Sequence, residues 1–321
     1  MKILVTGGAG FIGSHLVDRL LLDGHQVVVV DILSTGRKNN LEQHDLNPNF
    51  RLSESSILNL SLLESEMQDI DYVFHLAAAV GVFTIVNNPL QSLLTNIRGT
   101  ENVLEMASKF QVPVFLTSSS EVYGKNVSDS LYENSDRILG SPTTLRWSYS
   151  EAKAIDESLA FAYFVERQLP VRIVRFFNTV GPRQLGTYGM VVPRFIKAAL
   201  NNEPILIYGS GKQTRCFAHV LDVVDAVITV AFAKNTLGKV LNVGNDFEIS
   251  MNELAETIIE KTNSSSKIVH VPYEEAYGEG FEDMERRVPN LDLIRNLVGW
   301  VPKRDLFDII SDIAVEMQVI D

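Results

Sequence analysis

One cysteine, Cys216, stands among 321 residues. That excludes an internal disulfide and with it the cross-linked secreted scaffold, and it fits a reducing compartment. A lone cysteine reads as a small buried side chain rather than a nucleophile, and no metal site is expected. No apolar run is long enough to cross a bilayer. No signal-peptide pattern opens the chain, because a strand begins at Lys2. These absences predict a soluble cytoplasmic protein. Basic charge is scarce: 28 Lys and Arg face 40 Asp and Glu, a formal net charge of −12. A general affinity for nucleic acid or anionic membrane is thereby excluded, and an anionic ligand would need a local basic pocket. Internal repeats and low-complexity linkers are also missing. What remains is 45% hydrophobic residues, ample for a core.

Those hydrophobic residues fall in a rhythm. "KILVT", "QVVVVD", "DYVFHLAA", "VPVFLTS" and "VRIVRFF" are continuous apolar runs. Between them lie amphipathic stretches such as "FIGSHLVDRLLLDG", "PLQSLLTNIRGTENVLEMASKF" and "SYSEAKAIDESLAFAYFVERQ". Fully apolar strands alternating with helices predict an α/β fold, a Rossmann-type doubly wound parallel sheet covered on both faces. After about residue 178 the rhythm loosens. Short strands ("ILIYG", "RCFAHV", "KIVHVP") mix with helices near 193–200, 250–261 and 305–317. The expected division is a dinucleotide-binding domain over 1–178, with a return near 215–245 through "GKVLNVG", and a smaller C-terminal α/β substrate lobe mainly over 179–321.

"TGGAGFIGSH" joins the first strand to the first helix. Gly7, Gly10 and Gly13 give GxxGxxG. The first two permit a tight turn and close approach of backbone to a pyrophosphate; the third lets the helix pack on the strand. Asp31 ends the second strand 18 residues after Gly13. An acid there accepts both ribose hydroxyls and repels a 2′-phosphate, so NAD is favoured over NADP, with Arg37 and Lys38 as the opposing feature.

"RWSYSEAK" puts Tyr149 and Lys153 four residues apart on one helix face. A nicotinamide enzyme needs a group that accepts an alcohol proton as hydride leaves its carbon. An ammonium near a phenol lowers its pKa, so Lys153 is expected to tune Tyr149. The strand-end run "TSSSEVYG" supplies Ser119, a hydrogen-bonding group for the substrate oxygen, then Ser120 and the acid Glu121.

With these pieces together the chain resembles an extended short-chain dehydrogenase/reductase of the nucleotide-sugar epimerase/dehydratase family. The likeness runs over essentially the whole chain, through "TGGAGFIGSH", "DILSTGRKNNL", "VFHLAAAVGV", "TSSSEVYG", "YSEAK", "RFFNTVGPRQ", "ILIYGSGKQTRCFAHVLDVVDA", "NVG" and "RRVPN". It implies an NAD pocket formed by Gly7, Gly10, Phe11, Ile12, Gly13, Asp31, Ser34, Gly36, Ser56, Ile57, Leu76, Ala77, Ala78 and Asn96, with Tyr149 and Lys153 at its reacting end. It implies a UDP-sugar held by Asn178, Val192, Ile207, Arg215 and Arg287. Arg286 and Arg194 read equally well as ion-paired surface groups. Ser56 departs from the family, which usually carries an Asp there for the adenine amino group; a hydroxyl is a weaker acceptor.

In such enzymes bound NAD oxidises the sugar at C4, and the residues after Ser119 sort the next step. Family 4,6-dehydratases carry Asp–Glu, where this chain has Ser120–Glu121. Decarboxylases of UDP-glucuronate carry Ser–Glu, and "YGEGFEDMERRVPN" resembles their tail, whereas "AAAVGV" is closer to the 4-epimerases. The resemblance therefore implies decarboxylation of UDP-glucuronate, to UDP-xylose or its 4-keto pentose, with UDP-hexose 4-epimerisation as the alternative. Glu121 is then a catalytic acid or, otherwise, a strand-end brace. An NAD-sensing regulator and an alcohol dehydrogenase using free cofactor are further readings. Relatives dimerise through four-helix bundles, which the helices 89–110 and 148–167 would build here; core packing within one subunit is the other use of "LAFAYF".

Overall fold

The computed structural model describes residues 1–80, 88–126, 128–186, 190–272, 275 and 284–320. Gly81 and Val82 of "AAAVGV", and 277–283 of the tail segment, lie outside the described residues. The strands are β1 (Lys2–Thr6), β2 (Gln26–Asp31), β3 (Phe50–Glu54), β4 (Tyr72–His75), β5 (Val114–Ser119), β6 (Val171–Phe176), β7 (Thr179–Val180), β8 (Ile205–Tyr208), β9 (Thr214–Cys216), β10 (Ala218–His219), β11 (Val240–Val243), β12 (Glu248–Ser250) and β13 (Ile268–Val271). The helices are α1 (Phe11–Leu22), α2 (Leu60–Met67), α3 (Pro89–Phe110), α4 (Ser148–Arg167), α5 (Val191–Leu200), α6 (Val220–Phe232), α7 (Met251–Lys261), α8 (Asp292–Val298) and α9 (Leu306–Ile320).

Seven strands form one sheet in the order β11-β6-β5-β4-β1-β2-β3. Every pairing in it is parallel, with Lys2 opposite Gln26, Ile3 opposite Tyr72, Ser119 opposite Phe176 and Val240 opposite Ile173. The alternation of side chains across each strand explains the apolar runs. Ile3, Val5, Val29, Phe74 and Phe115 face one core, with Leu16 and Leu20 of α1 and Val223 and Val227 of α6. Leu4, Val28, Val73, Val114 and Leu116 face the other, with Met67 of α2, Val103 and Ala107 of α3, and Ala160 of α4. Both faces being dry, a polar residue on an interior strand without a partner is costly.

The direction of winding reverses between β1 and β4, which opens a crevice at the carboxyl ends of the strands. The later chain returns to the sheet through α6 and β11, the latter beside β6. It also returns a second time: Leu291, Ile294 and Trp300, around α8, join the core shared with α1 and α6. That stretch had been expected in the lobe; its apolar side chains cover the sheet face next to β11 instead. The lobe proper has its own core of Val192, Phe195, Ile205, Ile207, Leu254, Ile258 and Ile309. Two short pairs, β8–β13 parallel and β9–β12 antiparallel, complete it.

One buried ion pair ties α4 to the sheet. Arg175 on β6 forms a two-pronged bridge to Glu157, with Nε at 2.9 Å and Nη2 at 2.6 Å from the carboxylate oxygens. Its Nη1 donates to the Tyr123 hydroxyl at 2.9 Å, and that hydroxyl donates to Asn242 Oδ1 at 2.7 Å. The guanidinium also lies 4.8 Å from the Tyr123 ring centroid. Removing one partner of such a buried pair strands the other charge and costs about 3–5 kcal/mol. Glu157→Gln should therefore lower the urea unfolding midpoint by an amount matching that cost, and an unchanged midpoint would show that α4 is held by apolar packing alone.

Candidate active site

The crevice at the carboxyl ends is a continuous cleft of about 640 Å³. Its floor is the glycine turn. Gly7 has φ +73°, and a Cβ there would stand 2.7 Å from the Ala77 nitrogen. A Cβ on Gly13 would collide with the Gly7 carbonyl. Only hydrogens fit at these points, so backbone and helix start lie bare to the cleft, which suits a pyrophosphate. Phe11, Ile12, Leu76, Ala77, Ala78, Ser56 and Ile57 line it with them.

Asp31 marks one end. Its Oδ2 accepts from the Ala9 N–H at 3.0 Å and its Oδ1 from the Leu33 N–H at 2.8 Å. Burial pushes its carboxyl up, and these backbone bonds oppose that push. Each carboxylate oxygen keeps a lone pair for a ribose hydroxyl. Ser34 and Arg37 line the same end. Lys38 turns away to pair with Glu54 at 3.3 Å.

The groups expected to react meet at the other end. Ser119 closes β5, and its Oγ accepts from the Glu121 N–H at 3.2 Å. Tyr149, in the first turn of α4, is hydrogen-bonded to Ser119. One helical turn on, Lys153 Nζ donates to the Thr117 carbonyl at 3.1 Å and to Asp156 Oδ2 at 3.1 Å. An ammonium has three donors, so one is left for a ligand in the cleft. The tuning differs from the simple lysine–phenol expectation. Burial pushes the Tyr149 phenol up, Glu121 and Asp156 push it further, and Ser119 opposes them.

Glu121 is gripped from two sides. Arg146 Nη1 lies 2.6 Å from Oε2, and Arg287 Nη1 lies 2.8 Å from Oε1. Arg287 Nη1 also donates to Ser120 Oγ at 3.2 Å. Against the upward push of burial, Arg287 and Arg146 hold the Glu121 carboxyl down at about 2. The arginine pair thus makes a local basic pocket inside an acidic protein.

A family model, that of the NAD dependent epimerase/dehydratase family, matches residues 3–244. This chain belongs to that family. It is an enzyme that uses NAD. It is 42% identical over 302 residues to a UDP-N-acetyl-alpha-D-glucosaminuronate decarboxylase of Bacillus cytotoxicus, covering 94% of this chain and 92% of that one. It is 37% identical to UDP-glucuronic acid decarboxylase 1 of Xenopus tropicalis, over 94% of this chain and 68% of that one. Among solved structures it is similar to a UDP-glucuronic acid 4-epimerase of Bacillus cereus in complex with UDP-glucuronic acid and NAD, at TM-score 0.88 and 28% identity with both chains fully covered.

Not every residue expected at the site lines the cleft. Gly36 packs on Ala9 and shapes the loop from behind. Asn96 bonds both the N–H and the carbonyl of Ala79, at 2.7 and 3.2 Å, and so holds the cleft wall. Val192 and Ile207 are sealed in the lobe core and do not line the cleft. Arg215 lies on β9, outside the cleft lining, with Nη1 donating to the Thr214 carbonyl at 2.7 Å. Asn178 and Arg287 do line it, and Asn178 Nδ2 also donates to the Cys216 carbonyl at 3.0 Å. Arg286 pairs with Glu248 at 2.7 Å, and Arg194 stacks 4.1 Å from the Tyr208 ring centroid. Burial pushes the Cys216 thiol up to about 12, which leaves it inert.

Sequence reasoning missed Arg146, Arg183 and Asp156. Arg146 stands three residues before Tyr149, within "RWSYSEAK", where only the tyrosine and lysine drew notice. Arg183, in "GPRQ", lines the cleft and pairs with Asp18 at 2.8 Å. Asp156 reads on paper as one more acid on a helix surface, yet it is fully buried.

Asp31 generates a test of cofactor choice. Its carboxylate repels a 2′-phosphate, so calorimetry should give NAD tighter than NADP by about tenfold or more, roughly 1.4 kcal/mol. Equal affinities would mean that Arg37 governs this end of the cleft.

Proposed function

We propose that the enzyme decarboxylates a UDP-hexuronate, UDP-glucuronate giving UDP-xylose or its 4-keto pentose. The observation that carries this is the Arg146–Glu121–Arg287 cluster beside Tyr149, with Ser120 where a 4,6-elimination would need an acid. Two guanidinium groups and one carboxylate leave a net charge of +1 beside the reacting end of the cleft. That charge suits a sugar carboxylate and gives nothing to a neutral hexose. The decarboxylase names of the relatives from Bacillus cytotoxicus and Xenopus tropicalis support the same class.

NAD, when bound, accepts a hydride from C4 of the sugar. Tyr149 takes the C4 hydroxyl proton, and Ser119, already bonded to the phenol, orients the oxygen. Lys153 offers its remaining N–H to the ribose. The resulting ketone makes the C5 carboxylate a β-keto acid. Carbon dioxide then leaves as the bonding pair moves into the ketone, and C5 is reprotonated. Arg287, bound to both Ser120 and Glu121, arranges the groups that face C5. Asn178 and Arg183, both in the cleft lining, would hold the diphosphate.

A 4-epimerase is the second reading, favoured by the likeness to the Bacillus cereus structure. Exposed Leu90, Ile155 and Val165 on α3 and α4 support a homodimer through those helices. The single unpaired Cys216 supports a cytoplasmic location. Light scattering would check the dimer.

The product test uses mass spectrometry. UDP-glucuronate, and in parallel its 2-acetamido analogue, should lose carbon dioxide and yield a UDP-pentose or its ketone. Interconversion of hexose or hexuronate C4 epimers with the carboxylate retained would replace decarboxylation by epimerisation. No turnover with NAD bound would favour a sensor. Glu121→Gln should still reduce bound NAD on adding substrate but stall before the pentose appears; loss of all steps together with stability would make Glu121 a brace. Tyr149→Phe should lower turnover by about 10²–10⁴-fold while NAD still binds, and a near-normal rate would leave the tyrosine only a structural part.

A further inference from the structure

Asp156 is a buried acid of the helix that carries Tyr149 and Lys153, and the chemistry above does not use it. It is fully buried, three residues after Lys153, and its Oδ2 pairs with the Lys153 ammonium. Its Oδ1 is buried with no hydrogen-bond partner among the described residues. A buried carboxylate with one oxygen unsatisfied costs stability that an apolar side chain in the same place would not. Its surroundings are ordered for a charge, however. Thr6 Oγ1 and His75 Nδ1 are 2.7 Å apart, and His75 Nε2 lies 3.0 Å from Thr100 Oγ1. Burial pushes the Asp156 carboxyl up; Lys153 first, and then the nearby Thr100 hydroxyl, which does not satisfy Oδ1, oppose that push and favour the ionised form. His75 is itself neutral, because burial and then Lys153 push it down to about 3.

We propose that Asp156 is a positioning residue that tethers Lys153 and, by offsetting its positive charge, sets the pH range in which Tyr149 exchanges its proton with the substrate. An ammonium alone beside a phenol favours the phenolate. A phenolate held too firmly would accept the alcohol proton poorly and could not return it on schedule. Asp156 restores a near-neutral pair behind the phenol. It also fixes the lysine, whose second bond is to the Thr117 carbonyl, so that the third N–H points into the cleft.

The charged and titratable groups that face this assembly come from several elements. Glu121, held by Arg146 and Arg287, faces Tyr149 from the turn after β5. Lys153 and Asp156 come from α4 itself, and His75 from β4. Glu157, bridged to Arg175 on β6, is the remaining neighbour of Asp156. Of these, only Asp156 touches the Lys153 ammonium. The inference rests on Tyr149 and Lys153 as the reacting pair, whichever sugar is turned over.

The test is Asp156→Asn, which keeps size and removes charge. Carbon NMR of ring-labelled tyrosine, on the full chain with NAD added and with Tyr149→Phe to assign the signal, follows the phenol directly. Its ionisation should move to lower pH than in the wild type by about one unit or more. In stopped flow, the acid limb of bound-NAD reduction should move in the same direction, whereas Asp156→Glu should keep the wild-type profile. An unmoved or upward-moved ionisation, or rates lowered at every pH with the limb in place, would overturn the proposal. If the asparagine variant does not fold, Asp156→Ser is read by the same criterion. If neither folds, Asp156 is structural and the proposal is wrong. A failed decarboxylation assay leaves the NMR titration untouched, so the two failures are distinguishable.

Discussion

Seven parallel strands buried on both faces impose one geometric condition: all their carboxyl ends emerge along a single edge. With β1 between β4 and β2 in the order, the strands on its two sides wind in opposite directions, and the crossovers part there. Several of the candidate site residues are placed by that condition. The glycine turn leaves β1, Asp31 ends β2, and Ser119 ends β5. Because the edge is shared, groups far apart in the chain face one cleft, and the long connection between β5 and α4 adds Glu121 and Arg146 to it.

The second constraint is electrostatic. A protein with twelve excess negative charges must admit a diphosphate and a cofactor. Guanidinium groups are concentrated at the cleft. Arg146, Arg183 and Arg287 line the cleft, and each is tied to an acid that keeps it aimed: Arg146 and Arg287 to Glu121, Arg183 to Asp18. Buried arginines are stable only with such partners.

Behind the phenol, burial and acids act against the lysine. The outcome is a Tyr149 whose acidity reflects the whole pocket rather than one neighbour. The Glu157–Arg175 bridge, one residue beyond Asp156, fixes the helix that carries both Tyr149 and Lys153 to the edge of β6. Scaffold and chemistry are thus joined through adjacent side chains on a single turn of α4.

Local sequence was enough for the parts whose physics is local. Apolar runs of strand length mark a doubly covered sheet. Glycines at Gly7, Gly10 and Gly13 mark a phosphate turn, because no side chain fits there. A tyrosine and lysine four apart share a helix face by periodicity alone. What only the tertiary structure decided depends on partners distant in the chain. Arg287 reaches Glu121 across 166 positions, so no spacing rule connects them. Asp156 looks like a surface acid until α3 and β4 close over it. Val192 and Ile207, apolar in either role, were read as ligand contacts, but the packing of the lobe assigns them to its core. Helix α8 lies on the main sheet because its apolar face meets β11, a strand the chain reached some fifty residues earlier. Burial and charge pairing are properties of three-dimensional neighbours, and those exist only once the chain has folded.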